Sequence, residues 1–401
     1  MADLLFDWNR GWGADGPPPG ILFDETLRDG IQAPTVRIPP LALKTQLIDH
    51  MVRTGVRAAD LGFPGAGPEA AAECLALARY VAECEYPLAQ GYAGRTHPAD
   101  VAAICEIAQR AGTAVEAYVF IGVSPIRQYV EDWSVESISR DIVGAAAECR
   151  RAGVEFVLVL EDAVRCTPDV LARLFELVPE LGIGRVTLCD TVGAAVPSGV
   201  AALVGWSRDW FAGRAYPVAF EWHGHNDRGL ALANSLAALA AGCARVHGTV
   251  LGIGERAGNA SLDQLVVNWQ LDHDGPYDLK ALREYCEFAS AVLEVPVPPN
   301  YPAMGRDVFR TSAGVHAAAI LKAHRKRDPR LKDSVYSAVP ASILGREQEV
   351  LIDPASGASN VQYWLEINGR QASAAAVEAV LRVAKTAGRP LRDEEIRQIV
   401  H

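Results

Sequence analysis

The chain has no CxxC pair. Its eight cysteines stand singly at 74, 84, 105, 149, 166, 189, 243 and 286 among 401 residues. In a chain of this length they read as reduced thiols of a cytosolic protein. A basic excess is also missing: 38 Lys and Arg face 49 Asp and Glu, a formal net charge of −11, which argues against a nucleic-acid partner. The first residues, MADLLFDWNRGWGADGPPPG, carry acids in place of a basic n-region and hold no long apolar run, so they do not form a signal peptide. No stretch reaches the apolar length of a membrane span. What remains is half hydrophobic and 22% charged, with 35 Gly and 24 Pro, a composition that excludes disorder and collagen and suits a globular α/β protein.

Short runs rich in β-branched and aromatic residues recur through the first 260 positions: 21-ILFDETL, 57-RAADLGF, 86-YPLAQGY, 115-VEAYVFI, 154-VEFVLVL, 185-RVTLCDT, 217-PVAFEWH and 245-RVHGTVLGI. Helical periodicity fills the gaps, as in 41-LALKTQLIDHMVRTG and 138-ISRDIVGAAAECRRAG. Pro39-Pro40, Pro68, Pro98 and Thr167-Pro168 mark helix starts, and Gly55, Gly112, Gly153 and Gly182 mark helix ends. Eight such units in this length predict an α/β fold, a (β/α)8 TIM barrel over residues 21–290 after an N-terminal extension, 1–20; a doubly wound sheet is the alternative. The proline-rich run 295-VPVPPNYPAMG predicts a linker, 291–310, before a mostly helical C-terminal lid and dimerisation region, 311–401. Polar clusters lie after the strands, where a barrel places its catalytic groups: Asp24 to Asp29, Glu161-Asp162, Asp190-Thr191 and Gly254-Glu255-Arg256.

The stretch 220-FEWHGHNDRG sets two of only nine histidines two residues apart at the end of the seventh strand. Residues i and i+2 of a strand point to one side, so His223 and His225 project together at the barrel mouth. In a closed barrel the eighth strand neighbours the seventh and the first, which lets Asp29 and Asn259 complete an N2O2 set around one divalent ion. Zn, Mn, Co and Mg all suit such donors. The competing reading is a pair of hydrogen-bonded polar residues in a sheet.

The strings 24-DETLRDGIQAP, 221-EWHGHNDRGLALANSLAAL and 251-LGIGERAGNASLDQL, with 120-FIGVSPI, 189-CDTVGAAVP, 312-SAGVHAAAI and 360-NVQYWLEINGR, resemble the signatures of the DRE-TIM metallolyase superfamily. Within it they resemble the alkylmalate synthases, a group that includes 2-isopropylmalate, homocitrate and citramalate synthases. The resemblance implies an acyltransferase that condenses acetyl-CoA, as co-substrate, with a 2-oxo acid and hydrolyses the thioester, helped by a divalent metal ion. Arg28 would stabilise the alkoxide formed on attack, or else form a rim ion pair. Thr191 resembles the family threonine that holds the substrate carboxylate, although it could cap the next helix. Gln32 would order the site. Glu161, His316 and Tyr336 match residues implicated in removing the acetyl-CoA proton. Glu255 resembles a glutamate near the thioester, its alternative being a salt bridge with Arg256. Because His316 and Tyr336 lie beyond the linker, the resemblance implies a domain-exchanged homodimer whose lid covers the partner's barrel. The run 322-KAHRKRDPRLK reads as a CoA-phosphate contact or a solvated face.

The specificity region departs from the relatives. Tyr118 and Arg127 stand where isopropylmalate synthases tend to have His, and Asp60 replaces a glutamate. With Arg95 near the mouth, these changes favour a dianionic 2-oxo acid, such as 2-oxoglutarate or phosphonopyruvate, over a monoanionic one. An HMG-CoA-lyase-like cleavage is the rival reading; those lyases carry a cysteine in the loop that here reads GIGERAGN. A non-catalytic barrel and a metal-dependent hydrolase are more distant rivals. The end of the chain at 401 leads us to expect no leucine-type feedback domain.

Overall fold

The structure is a computed structural model that describes residues 21–273 and 275–400. The expected extension 1–20 lies outside them. Eight parallel strands close into a barrel: β1 (Ile21–Asp24), β2 (Ala58–Asp60), β3 (Ala89–Arg95), β4 (Glu116–Gly122), β5 (Glu155–Glu161), β6 (Arg185–Asp190), β7 (Ala219–Gly224) and β8 (Arg245–Gly248). β8 pairs with β1 through Leu22↔Val246 and Phe23↔His247 to complete the ring. The helices between and after them are α1 (Leu41–Thr54), α2 (Pro68–Glu83), α3 (Pro98–Ala111), α4 (Pro125–Val130), α5 (Val135–Ala152), α6 (Pro168–Leu181), α7 (Pro197–Ala212), α8 (Ala231–Ala240), α9 (Leu262–Asp272) and α10 (Leu279–Val292).

Local chemistry accounts for these elements. Pro68, Pro98 and Pro168 each sit in the first turn of a helix, where a missing N–H costs nothing. Gly55, Gly112, Gly153 and Gly182 close α1, α3, α5 and α6 in the left-handed conformation that other residues resist. On α6 the buried residues Leu171, Leu174, Phe175 and Val178 recur at helical spacing. Each contributes about 2 kcal/mol by leaving water. The third strand starts at Ala89 instead of 86, because Pro87 cannot donate to a ladder. The eighth ends at Gly248, after which the chain turns through Val250–Gly252.

The barrel interior is ionic as well as apolar. Successive inward positions carry Glu116 and Tyr118 on β4, Arg185 and Thr187 on β6, Glu221 and His223 on β7, and Arg245 and His247 on β8, following the two-residue alternation of strands. At the base, Glu116 receives Arg245 (2.7 Å) and Arg185 (2.9 Å), and Glu221 receives Arg185 (3.3 Å).

The chain divides into two compact units, with the boundary at Pro296 and Val297, inside the proline-rich run. The C-terminal unit holds α11 (Gly314–Arg325), α12 (Pro329–Ser334), α13 (Ala358–Ile367), α14 (Ala374–Ala384), α15 (Asp393–Ile399) and a short parallel ladder of β9 (Arg310–Thr311) with β10 (Glu349–Val350). Val361, Trp364, Leu365, Val380 and Ile396 form its main apolar cluster. No helix among the described residues is long and apolar enough to cross a membrane.

Asp24 is wholly buried and accepts hydrogen bonds from the Thr26 N–H (2.8 Å) and the Tyr285 hydroxyl (2.9 Å). Burial pushes its carboxyl up to about 6 against those bonds. A folded-state value above the unfolded one means this group's contribution to stability is complete below about pH 4 and fades as the pH rises through about 6. Asp24→Asn stays neutral throughout. Between pH 4 and pH 8 its unfolding free energy should gain about 2 kcal/mol relative to the parent, read from urea denaturation. Parallel pH curves for the two proteins would refute this.

Candidate metal centre and active site

Asp29, His223 and His225 converge at the C-terminal end of the barrel, all three buried. The two histidine Nε2 atoms stand 3.2 Å apart, and Asp29 Oδ2 lies 3.6 and 3.8 Å from them. Two nitrogens bound to one ion at about 2.0–2.1 Å are separated by about 3 Å, so the cluster needs little rearrangement to become a coordination sphere. His225 lies one residue beyond β7 and bridges to Asn259 across the loop after β8. The Asn259 amide donates to Asp29 Oδ1 (3.1 Å) and to the Ile253 carbonyl (3.2 Å), which leaves its Oδ1 buried with no hydrogen bond. An orphaned acceptor of that kind costs about 1–3 kcal/mol unless a cation or water meets it. His225 is pushed down to about 4 by burial and by the His223 beside it, so it is neutral and offers a lone pair. Burial raises the Asp29 carboxyl, but Arg28 and His223 outweigh it and hold the group below its usual value. These donors fit a divalent cation.

Two glycines make the cluster possible. Gly254 adopts φ +142°, and a Cβ there would lie 2.2 Å from Asn259 Nδ2. At Gly258 (φ +84°) it would lie 1.9 Å from the Gly252 carbonyl. Both positions require a bare backbone, which explains the glycine-rich loop GIGERAGN.

Beneath the cluster, Glu25 accepts from His223 Nδ1 (3.3 Å), His247 Nδ1 (2.6 Å) and Arg28 Nη2. The bond to His223 Nδ1 fixes the tautomer that turns Nε2 toward the ligand position. His247 spans Glu25 and Glu221 (3.1 Å from Nε2). Burial opposes its charge, but the two carboxylates prevail and lift it to about 9. Sequence reasoning missed His247, and it passed over Glu25 and Glu221 as supports. The signal was the alternation Arg245, His247 on β8 facing Glu221, His223 on β7.

Arg28 donates to Glu25, Asp29 (2.9 Å) and Asp60 (3.0 Å). These bonds use three of its five N–H groups and leave two free on a side chain that lines a cavity of about 250 Å³. Gln32, Asp60, Tyr118, Glu161, Thr191 and Glu255 line that cavity with the histidines. Asp60 is buried and orients Arg28. Thr191 Oγ1 accepts from the Asp162 N–H (2.8 Å) and does not cap the next helix, whose N-cap is Val196. Arg256 pairs with Asp227 (2.9 Å), so the alternative of a Glu255–Arg256 salt bridge is not found.

Two expectations about the specificity pocket differ from the geometry. Arg95 and Arg127 do not line the cavity. They border a neighbouring one of about 380 Å³, separated from the first by Phe120 and Glu161. Arg95 is held by Asp100 (2.7 and 3.0 Å), and Arg127 by Glu131 (3.0 Å) and Glu161 (3.1 Å). Tyr118 does face the cavity, but its hydroxyl points down to Arg245 (2.7 Å), so its ring is a floor and offers the cavity no polar group. The apolar part of the wall is Phe63, Ala93, Phe120 and Val159, which the sequence reading did not single out, and Thr187, Cys189 and Arg256 complete the lining. His316 and Tyr336 belong to the C-terminal unit, where their rings stack at 4.0 Å, both exposed.

A family model described as HMGL-like matches residues 20–288, two thirds of the sequence. The chain belongs to the HMGL-like family. Its relatives within the HMGL-like proteins include a 2-isopropylmalate synthase of Methylacidiphilum infernorum, 32% identical over 357 residues that span 87% of this chain and 68% of that one. A homocitrate synthase of Methanopyrus kandleri is 29% identical over 394 residues, 96% of this chain and 93% of that one. These similarities put it in the alkylmalate synthase group. Among solved structures, the hydroxymethylglutaryl-CoA lyase of Pseudomonas aeruginosa superposes with a TM-score of 0.58 at 20% identity, over 70% of this chain and 95% of that one, a likeness of fold.

Metal analysis tests the donor set. The purified protein should carry about one divalent ion per chain, and His225→Ala should remove most of it. Glu25→Gln should weaken retention by about 10–100-fold through the lost hold on His223. Undiminished metal content in His225→Ala would refute the assignment.

Proposed function

We propose that the protein condenses the acetyl group of acetyl-CoA with a compact, monoanionic 2-oxo acid, giving a 2-substituted malate and CoA. The observation that carries this reading is the buried Asp29–His223–His225 cluster, with the orphaned Asn259 Oδ1, opening on a small cavity with an apolar wall, in a chain of the alkylmalate synthase group. A divalent ion held by these four residues would supply Lewis acidity at the keto carbonyl. Arg28, fixed by three carboxylates, directs its spare N–H groups to the oxygen that gains charge as the new carbon–carbon bond forms. The Thr191 hydroxyl keeps its proton for the acceptor's carboxylate, since in the structure it serves as an acceptor. The acetyl methyl loses a proton to a base and attacks the keto carbon, and water then cleaves the thioester. Glu161, whose carboxyl is raised by burial against the pull of Arg127, lies at the cavity edge as a proton acceptor. His316 and Tyr336 enter the same reading as the pair that a second subunit contributes.

Charge supports this choice of acceptor class. The dianionic acceptors expected from Arg95 and Arg127 would need a further unpaired cation in the cavity; those two arginines face another cavity with acids already bound, and Arg256, which does line this one, is held by Asp227 (2.9 Å). Phe63, Ala93, Phe120 and Val159 favour a short aliphatic side chain. An unpaired second carboxylate against that wall would cost several kcal/mol.

Release of free thiol from acetyl-CoA over a panel of acceptors tests both levels. Pyruvate, 2-oxobutyrate or 2-oxoisovalerate should exceed 2-oxoglutarate in kcat/KM by about tenfold or more. Arg28→Leu should slow every acceptor by about 10²–10³-fold, and Arg95→Leu should leave the ranking intact. No thiol release with any acceptor would overturn the reaction; a preference for 2-oxoglutarate would overturn the acceptor class.

A further inference from the structure

Positive charge is segregated in this acidic protein. Residues 297–401 hold 15 Lys and Arg against 11 Asp and Glu, within a chain of net charge −11. Six of those cations fall between Lys322 and Lys332, with Asp328 the one acid. The structure turns part of this run into a concavity. The end of α11, the start of α12 and the end of α13 enclose a groove of about 610 Å³, lined by Arg325, Arg327, Lys332 and Arg370 together with Asp328 and Glu366.

Both acids are already engaged. Asp328 caps α12, accepting from the N–H groups of Arg330 (2.9 Å) and Leu331 (3.2 Å). Glu366 is held bidentately by Arg325. Arg370 spends one N–H on the Val400 carbonyl (3.4 Å). Arg327 and Lys332 have no side-chain partner among the described residues. A groove large enough for a nucleotide therefore presents two cations without side-chain partners and the remaining face of a third, an excess over Asp328, the one acid there that no side chain pairs. We infer that this groove binds a small metabolite bearing two phosphate groups, with Arg327 and Lys332 as its principal contacts. A guanidinium fork beside an ammonium is the donor set such oxygens select. Two sources share this chemistry: a free nucleoside diphosphate, and the phosphorylated end of CoA under the reaction proposed above.

Calorimetric titration of the full chain at low salt tests the inference with ADP and pyrophosphate as probes and adenosine as the uncharged control. ADP and pyrophosphate should bind and adenosine should not, with affinity falling as salt rises. Arg327→Ala/Lys332→Ala should weaken ADP by about tenfold or more. Arg382→Ala, which removes a cation from exposed α14 outside the groove, should leave it unchanged. Absence of ADP binding, or equal affinity in the parent and the double variant, would overturn the site. Turnover then separates the sources. A raised KM for acetyl-CoA in the double variant, with acetyl-pantetheine unaffected, assigns the groove to the CoA end. An unchanged acetyl-CoA KM alongside weakened ADP assigns it to a free nucleotide. The binding measurements need no catalysis, so their failure is distinct from failure of the synthase reading.

Discussion

Glu25 is a fully buried carboxylate that receives Arg28, His223 and His247 at once. Burial alone would neutralise it. The three donors instead hold it well below the ordinary carboxylate range. Removing any one partner would leave a buried charge short of its counterpart, at a cost of about 3–5 kcal/mol. That penalty opposes rearrangement of the neighbouring groups: His223 cannot rotate without abandoning Glu25, and Arg28 cannot withdraw without stripping Glu25, Asp29 and Asp60 together. Rigidity at the mouth is thus a product of the electrostatics below it.

The same chain of charges continues to the base of the barrel through His247, Glu221, Arg185, Arg245 and Glu116. A TIM barrel usually fills this volume with branched aliphatic layers. Here apolar filling persists on one side, in Phe23, Ala58, Tyr118 and Val157, and the ionic column occupies the other. The cavity inherits that asymmetry. Its metal side is lined by groups that cannot move, and its far side by side chains that set size and little else.

Much of this was legible in the sequence. Proline and glycine act through local backbone sterics, so the helix boundaries at Pro68, Pro98, Pro168 and the four left-handed glycines were readable without tertiary information. The HxH spacing needed only the two-residue pleat and a closed ring to bring in Asp29 and Asn259. Arg95 and Arg127 show where such reasoning stops. Their positions at strand ends placed them at the mouth, but which of two adjacent cavities they face depends on partners; Glu131, four residues after Arg127 on one helix, was a visible competitor. Tyr118 lines the cavity, but the downward aim of its hydroxyl is a question of barrel layers, which one strand read alone does not display.

The four ligand candidates come from the segment after β1, from the end of β7 and the residue beyond it, and from the loop after β8, three neighbouring elements where the ring closes. Backbone pairing is sparse there: β7 and β8 share two paired positions and β8 and β1 share four, where β4 and β5 share seven. An ion gripped from both sides would act there as a clasp, joining the start of the fold to its finish. The chemistry and the closure of the barrel would then be a single event, and amide protons along β8 would record, through their exchange with solvent, whether the clasp is fastened.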